Sequence, residues 1–258
     1  MTASPLLQTL VDAALEAGAE IEAIYGAGCA HELKEDGSPV TIADQRAEAI
    51  ILARLGAAFP DVPVVAEEEA CAGRIPECGD RFFLVDPLDG TKGFIQRNGE
   101  FTVNIGLIEL GAPVAGVVYA PDSGLLYYGA KGEGAFRRQV RGDVPAEAIR
   151  VRPRPASGLT AIGSRNHHAQ GSEARNAALG ITEYLPSGSS LKFCLLADGS
   201  ADVYPRYGRT MEWDTAAGQA VLEAAGGRVM ALDGDREFGP LRYGKADFAN
   251  PNFIAWAT

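Results

Sequence analysis

Acidic residues stand at the ends of apolar runs or the starts of helix-like ones in four separated places of this 258-residue chain: Asp44, Glu67-Glu68-Glu69, Asp86 with Asp89, and Asp214. Residues 62–66 and 82–86 are short apolar runs that read as strands delivering carboxylates at their C-terminal ends. A fold that brings such acids together must answer their repulsion. Two unit charges ~4 Å apart at an effective dielectric of ~20 interact by about 4 kcal/mol, so three or four clustered carboxylates would cost more than typical total stability allows. Hard divalent cations are the natural remedy. Carboxylate and carbonyl oxygens without His or Cys favour Mg²⁺, Mn²⁺ or Ca²⁺ over zinc.

Each acid also has a local reading. Thr41-x-x-Asp44 fits a capping box at a helix start, and Asp214 before Thr215-Ala216-Ala217 fits a simple N-cap. The run from Glu67 to Glu69 fits a solvated strand end, and Asp86-Pro87-Leu88-Asp89-Gly90 fits a turn. The balance shifts at Asp89-Gly90-Thr91, which after a strand can start a helical turn whose free N–H groups face an anion. Metal ligands and a phosphate cradle would then come from one short segment. Phosphate monoesters are among the slowest biological bonds to hydrolyse unaided, and two cations ~3.5–4 Å apart can supply both an activated water and a stabilised leaving oxygen.

The chain is long enough for one large domain or two compact halves sharing a core. Its 47% hydrophobic and 22% charged residues suit a globular protein. No run approaches the ~18 apolar residues that span a bilayer. Met1-Thr2-Ala3-Ser4-Pro5 lacks a basic region followed by an apolar one, so a cytoplasmic location is expected. The four cysteines, Cys29, Cys71, Cys78 and Cys194, form no CxxC pair, and with three histidines neither a zinc site nor a disulfide framework is expected. A net charge of -11 argues against nucleic-acid polymers as partners and leaves small anions, if a cation mediates. Whether the chain is a monomer or a homodimer is left open.

Leu6, Leu7, Leu10, Val11, Ala14, Leu15, Ile21 and Ile24 recur at helical spacing from Pro5 to Ala27. A loop over 34–39 precedes a second helix from Thr41 to about Leu55. Runs 101–110, 114–120 and 124–136 read as an antiparallel meander. Beyond Val140 short strands and helices alternate through 159–164, 173–179, 181–186, 190–198, 201–205, 215–225 and 228–232, which implies an α/β arrangement. The Arg- and Pro-rich stretch 150–155 is the boundary between an α+β half, 1–149, and an α/β half, 150–258.

Asp86-Pro87-Leu88-Asp89-Gly90-Thr91, the preceding Glu67-Glu68, Ser38-Pro39-Val40-Thr41-Ile42-Ala43-Asp44 and Trp213-Asp214-Thr215-Ala216-Ala217 together resemble the inositol monophosphatase-like, Li⁺-sensitive phosphatase superfamily. Four motifs in the right order across nearly the whole chain make the resemblance specific. It narrows to the CysQ type of 3'(2'),5'-bisphosphate nucleotidase through Lys92, Asn98-Gly99-Glu100-Phe101-Thr102-Val103-Asn104-Ile105, Gly188-Ser189-Ser190-Leu191-Lys192-Phe193-Cys194 and Ala201-Asp202-Val203-Tyr204-Pro205-Arg206. The resemblance implies a layered αβαβα sandwich of the inositol monophosphatase/fructose-1,6-bisphosphatase type, with most metal ligands in the N-terminal half and Asp214 and substrate contacts in the C-terminal half. It implies Mg²⁺, as two or three ions, with Mn²⁺ able to substitute and Li⁺ inhibitory. Glu67, Asp86, the Leu88 carbonyl, Asp89 and Asp214 would hold the metal, Glu68 being the weaker of its pair. Asp44 and Thr91 would orient or deprotonate the attacking water, and the backbone N–H groups of Gly90 and Thr91 would receive the phosphate. Glu67, Asp89 and Asp214 would also touch substrate. One departure is visible: Gly93 follows Lys92 where CysQ-type chains often carry Glu.

The implied substrate is a small nucleotide, adenosine 3',5'-bisphosphate, hydrolysed to AMP, with PAPS as a further candidate. Its second phosphate needs cationic groups, for which Lys192 and Arg206 are the candidates, against a solvated helix residue and a surface ion pair respectively. Ser189 and Ser190, preceding a helix, would donate to the same anion. Tyr204 and Tyr207 could stack on adenine or be buried aromatics, and a loop containing His167-His168 could approach the substrate or be exposed surface. The rivals are another ester, inositol monophosphate or fructose 1,6-bisphosphate, and a non-catalytic metal and phosphate-binding module.

Overall fold

The helical spacing that begins at Pro5 forms, in the computed structural model, α1 (Pro5–Ala27), which buries Leu7, Leu10, Val11, Ala14, Ala17 and Ile21 along one stripe. Residues 3–27, 31–33, 39–142, 144–163 and 172–258 are described; Cys29, residues 34–38 of the expected loop and the 164–168 loop lie outside them. A two-stranded ribbon, β1 (His31–Leu33) with β2 (Pro39–Thr41), leads into α2 (Ile42–Ala58). Then come β3 (Val64–Ala66), α3 (Glu67–Cys71), β4 (Arg81–Asp89), α4 (Thr91–Ile95), β5 (Thr102–Glu109), β6 (Ala112–Ala120), β7 (Leu125–Ala130), β8 (Gly134–Gln139) and β9 (Glu147–Ile149). These strands form a seven-stranded sheet in the order β3-β4-β5-β6-β7-β8-β9, antiparallel except for the β3–β4 pair.

Two expectations are corrected here. The run 124–136 is not one strand: β7 and β8 are joined by a turn in which Gly132 and Gly134 take positive φ, because Lys131-Gly132-Glu133-Gly134 is turn chemistry inside an apolar stretch. The acids after β3 do not extend a strand end; Glu67, Glu68 and Glu69 form the first turn of α3, where carboxylates oppose the positive end of the helix dipole.

The C-terminal part continues with β10 (Leu159–Gly163), α5 (Ser172–Leu179), β11 (Ile181–Pro186), α6 (Leu191–Ala197), β12 (Val203–Arg206), α7 (Ala216–Ala224), β13 (Arg228–Asp233), β14 (Arg236–Pro240) and β15 (Phe253–Trp256). Its six-stranded sheet has the order β11-β10-β12-β15-β13-β14 and is mixed, parallel around β10 and antiparallel from β12 onward.

Three apolar clusters show the layers. One packs α1 and α2 on the outer face of the first sheet through Leu10, Ile21, Ile51, Phe83 and Val85. A second lies between the sheets, where Phe82 and Leu84 meet Phe193 of α6, Val221 of α7 and Phe253 of β15. The third covers the far face of the second sheet through Leu159, Val203 and Trp256, with Leu179 of α5 packed against it. The stacking is α-β-α-β-α, and sheets covered on both faces explain why β4 and β5 read as nearly continuous apolar runs. Along β4 the side chains alternate, Phe82 and Leu84 toward the middle layer and Phe83 and Val85 toward α1 and α2; the same alternation aims Asp86 at the middle layer. Helix α7 lies unusually close to β5 and β6, since a Cβ at Gly106 would stand 2.9 Å from the Ala217 nitrogen and one at Gly116 would stand 2.4 Å from the Ala217 carbonyl oxygen. Among the described residues no helix is long and apolar enough to cross a membrane.

Candidate active site

At the end of β4 the strand pairing with β5 holds Asp86 opposite Asn104 and Asp89 opposite Thr102, with an irregularity between the two acids. Proline at 87 has no N–H for the ladder, and the Leu88 N–H turns instead to Asp86 Oδ1 at 3.0 Å. Gly90 then takes φ 93° as the residue before α4, a conformation that L side chains avoid. A Cβ there would also stand 2.5 Å from the Glu100 carbonyl oxygen and 2.5 Å from Ser189 Oγ. The turn delivers the first N–H groups of α4, which have no partner within the helix.

Thr91 Oγ1 stands 3.1 Å from Asp44 Oδ1 and 3.2 Å from the Leu88 carbonyl oxygen. Asp44 Oδ2 accepts from the Thr41 N–H and from Thr41 Oγ1, each at 2.7 Å, while Thr41 Oγ1 accepts from the Ala43 N–H. The capping box is therefore real, and the same carboxylate reaches Thr91 with its other oxygen. The two readings of Asp44 do not compete. Burial raises its pKa above the ordinary 3.8, against the lowering effect of its hydrogen bonds from Thr41 and Thr91.

Glu67, Asp86, Asp89 and Asp214 are brought together. Burial lifts Asp86 well above 3.8, and the charges of Glu67, Asp89 and Asp214 and a hydrogen bond with Glu67 lift it further. Asp89 is raised by burial against the pull of Lys192 and Ser190. Asp214 is pushed up to about 8 by burial and then by Asp89. Asp214 is not the N-cap of α7; that position is Thr215, and Asp214 Oδ2 instead accepts from the Met211 N–H three residues back at 2.8 Å. Among the described residues no three His, Cys, Asp or Glu side chains already stand around one point as an ion cage. The donor set is nevertheless all oxygen, buried at Asp86 and half-buried at Glu67, Asp89 and Asp214, and mutually repulsive, which fits a hard divalent cation and no thiophilic one.

Ser190 ties the two halves together. Its hydroxyl lies 2.7 Å from the Asp214 carbonyl oxygen and 3.2 Å from Asp89 Oδ2, and it accepts from Asn104 Nδ2 at 3.0 Å. Ser189 Oγ is within 2.9 Å of the Asp89 carbonyl oxygen and 3.0 Å of that of Glu100. Both hydroxyls thus hold the acidic turns in place in this geometry.

A cleft of ≈ 100 Å³ opens beside them, walled by Asp89 and Asp214 and by Lys192, Tyr204, Arg206 and Thr210. Lys192 is no solvated helix residue: it is 8% exposed, donates to the Ser189 carbonyl at 2.9 Å, and lies 5.5 Å from the Tyr204 ring centre. Arg206 lowers the pKa of Asp214. Tyr204 is buried against Phe193 and Phe253. Tyr207 belongs to the opposite side of the second sheet, under Arg175 and beside Trp256, as the two-residue strand period dictates once Tyr204 and Arg206 face the middle layer. A Cβ at Gly93 would stand 2.7 Å from Asn98 Oδ1 and 2.8 Å from the Glu100 carbonyl oxygen. The departure at 93 therefore goes with a 98–100 loop packed tightly on α4.

Sequence reasoning missed Glu48. It is 3% exposed and accepts from the Glu68 N–H at 2.8 Å and the Glu69 N–H at 3.0 Å, capping the helix that begins with Glu67. Its signal was present: Asp44, Glu48, Ile51 and Leu55 form one helical stripe, an acid at a position the periodicity marks as buried. Asn104 and Thr102 are likewise polar residues at two-residue spacing inside an apolar strand, both fully buried.

The layers and the acid-and-cradle turn define a family, and the chain belongs to it: the inositol monophosphatase family matches residues 2–257. Within it, the chain is 41% identical to the 3'(2'),5'-bisphosphate nucleotidase CysQ of Salmonella typhimurium, over 96% of this chain and 98% of that protein. The crystal structure of CysQ from Bacteroides thetaiotaomicron superposes with a TM-score of 0.78 at 40% identity, covering 97% of this chain and 96% of the other. That of the extragenic suppressor protein SuhB from Bartonella henselae does so with a TM-score of 0.76 at 29% identity, covering 98% and 94%.

Proposed function

We propose that this chain is a Mg²⁺-dependent 3'(2'),5'-bisphosphate nucleotidase that hydrolyses the 3'-phosphate of adenosine 3',5'-bisphosphate, and of PAPS, which carries the same ester, to release inorganic phosphate. The observation that carries the reading is the cleft whose wall holds the carboxylates of Asp89 and Asp214 together with the cations of Lys192 and Arg206, acids suited to a metal-bound phosphate and cations suited to a second anion. The CysQ relatives at comparable length support it.

Glu67, Asp86, the Leu88 carbonyl, Asp89 and Asp214 would hold the cations, with rotation of the side chains toward a common centre. When bound, the cations supply positive charge to the attacking water and to the leaving oxygen. The residues of the chain do the rest. The N–H groups of Gly90 and Thr91 receive phosphate oxygens at the start of α4. Thr91 Oγ1, 3.1 Å from Asp44 Oδ1, accepts a hydrogen bond from the attacking water and passes its own proton to Asp44. The raised pKa of Asp44 makes it a better base near neutral pH than an exposed aspartate. In this reading residues 1–149 supply the cradle and most ligands, and residues 150–258 supply Asp214 and the contacts to the second phosphate. The net charge of -11 supports a small nucleotide, and not a nucleic-acid polymer, as the substrate of a cytoplasmic enzyme.

Side-by-side kcat/KM values on adenosine 3',5'-bisphosphate, inositol 1-phosphate and fructose 1,6-bisphosphate test the substrate; a preference for inositol 1-phosphate overturns the assignment. Mg²⁺-dependent phosphate release that disappears in Asp89→Asn separates an enzyme from a module that only binds metal and phosphate.

A further inference from the structure

Among the described residues four buried side-chain polar atoms have no hydrogen-bond partner: Thr102 Oγ1, Asn104 Oδ1, Arg206 Nε and Thr210 Oγ1. All four belong to the site. Thr102 and Asn104 lie opposite Asp89 and Asp86 on β5, and Arg206 and Thr210 wall the same cleft as Asp89 and Asp214. Buried polar atoms are paired almost everywhere in folded proteins, so orphans gathered in one place ask for a reason.

Thr210 is the sharpest case. It is 8% exposed. Its carbonyl is used by the Asn250 N–H at 2.9 Å, but its hydroxyl is used by nothing. A valine of the same shape would bury there with no unpaired oxygen, so packing alone does not account for threonine. Arg206 Nη2 donates to the Arg209 carbonyl at 3.1 Å, which fixes the guanidinium and leaves Nε unpaired. Lys192, the other cation of the cleft, donates one of its ammonium N–H groups to the Ser189 carbonyl. Arg206 Nε and Thr210 Oγ1 are thus unengaged donors in the wall of the cleft.

We infer that Thr210 is a specificity-determining residue: its Oγ1, with Arg206 Nε, hydrogen-bonds an oxygen of the substrate's second, non-reacting phosphate. The hydroxyl and the guanidinium N–H offer one proton each, a neutral and a charged donor, to a group that accepts only. The inference rests on the bisphosphate nucleotidase reading and adds to it the residue that tells a bisphosphate from a monophosphate.

The test compares wild type, Thr210→Val and Thr210→Ser on adenosine 3',5'-bisphosphate and on adenosine 3'-monophosphate, which keeps the reacting ester and lacks the second phosphate. The ratio of kcat/KM for the first substrate to that for the second is expected to fall roughly tenfold in Thr210→Val, the loss for one hydrogen bond to a charged group, and to stay near wild type in Thr210→Ser. The melting temperature of Thr210→Val is expected to equal or exceed that of wild type, which a structural hydroxyl would not allow. An unchanged ratio in Thr210→Val overturns the inference while leaving the enzyme's function intact. Wild type that releases no phosphate from adenosine 3',5'-bisphosphate overturns the functional reading instead, and the inference with it. Thr210→Ala gives the same readout if the valine variant does not fold.

Discussion

A carboxylate at the start of a helix is cheap to hold, and Glu48 and Asp44 both use that fact, on different helices. Asp44 satisfies the Thr41 N–H of its own helix, whereas Glu48, one turn later on α2, satisfies the first free N–H groups of α3. Because α3 begins with Glu67, Glu48 sets where an expected metal ligand stands. Glu48→Ala is expected to lower stability by about 2 kcal/mol through the loss of two backbone partners, and to raise the Mg²⁺ concentration needed for half-maximal activity. Urea unfolding and a Mg²⁺ titration check the two effects; a variant with the wild-type Mg²⁺ curve would show that α3 holds Glu67 without this cap. The residue was legible as an acid in a buried stripe. Its partner was not, since α3 is twenty residues further on by the Glu48–Glu68 separation and nothing local announces the contact.

Among the elements, α7 decides whether the site exists. It carries no expected ligand within its own span, but the turn before it carries Asp214, and its approach to the first sheet sets how near Asp214 comes to Asp86 and Asp89. Gly106 and Gly116 permit that approach. Gly116→Ala puts a methyl group against the Ala217 carbonyl oxygen and is expected to cost about 1–3 kcal/mol by overpacking, with phosphate release reduced beyond what the unfolded fraction explains. Thermal melts and the specific activity of the folded fraction measure both; normal activity in a destabilised variant would mean that Asp214 tolerates displacement of its helix. The α1 stripe, the α2 start and the central apolar strands were readable from periodicity because their burial follows one local repeat. The β7–β8 turn, α3, the edge strands β9 and β14 and the internal strand β15 were not, because they are short and the strands owe their state to their pairing partners and not to their composition.

The whole molecule stores repulsion at one place and relieves it there. Asp214 is pushed up to about 8 and Glu48 to about 7, chiefly by burial, from ordinary values of 3.8 and 4.5. Between those ordinary values and the raised ones the unfolded chain has lost protons that the folded chain keeps. Folding therefore binds protons in that window, and stability falls as pH rises through it. In excess chelator the melting temperature is expected to drop from pH 5 to pH 8. Mg²⁺ is expected to raise it more at pH 8 than at pH 5, because the ligands must be deprotonated to bind. A melting temperature that is flat with pH in chelator, or a Mg²⁺ shift largest at pH 5, would contradict the upward shift that burial gives these acids.

The amino-acid order alone made three things legible: an all-oxygen set of candidate ligands, a strand that turns at Gly90 into a helix start, and four motifs whose order resembles one family. These are legible because each depends on residue types a few positions apart. Only the tertiary structure decided that Asp44 is at once a helix cap and the neighbour of Thr91, that Glu48 seats Glu67, and that Ser190 joins Asp89 to Asp214. It also turned Tyr207 away from the cleft and left the Thr210 hydroxyl in its wall without a partner. Those outcomes depend on how two sheets and the helices between them pack, and packing joins residues whose separation along the chain carries no local pattern to read.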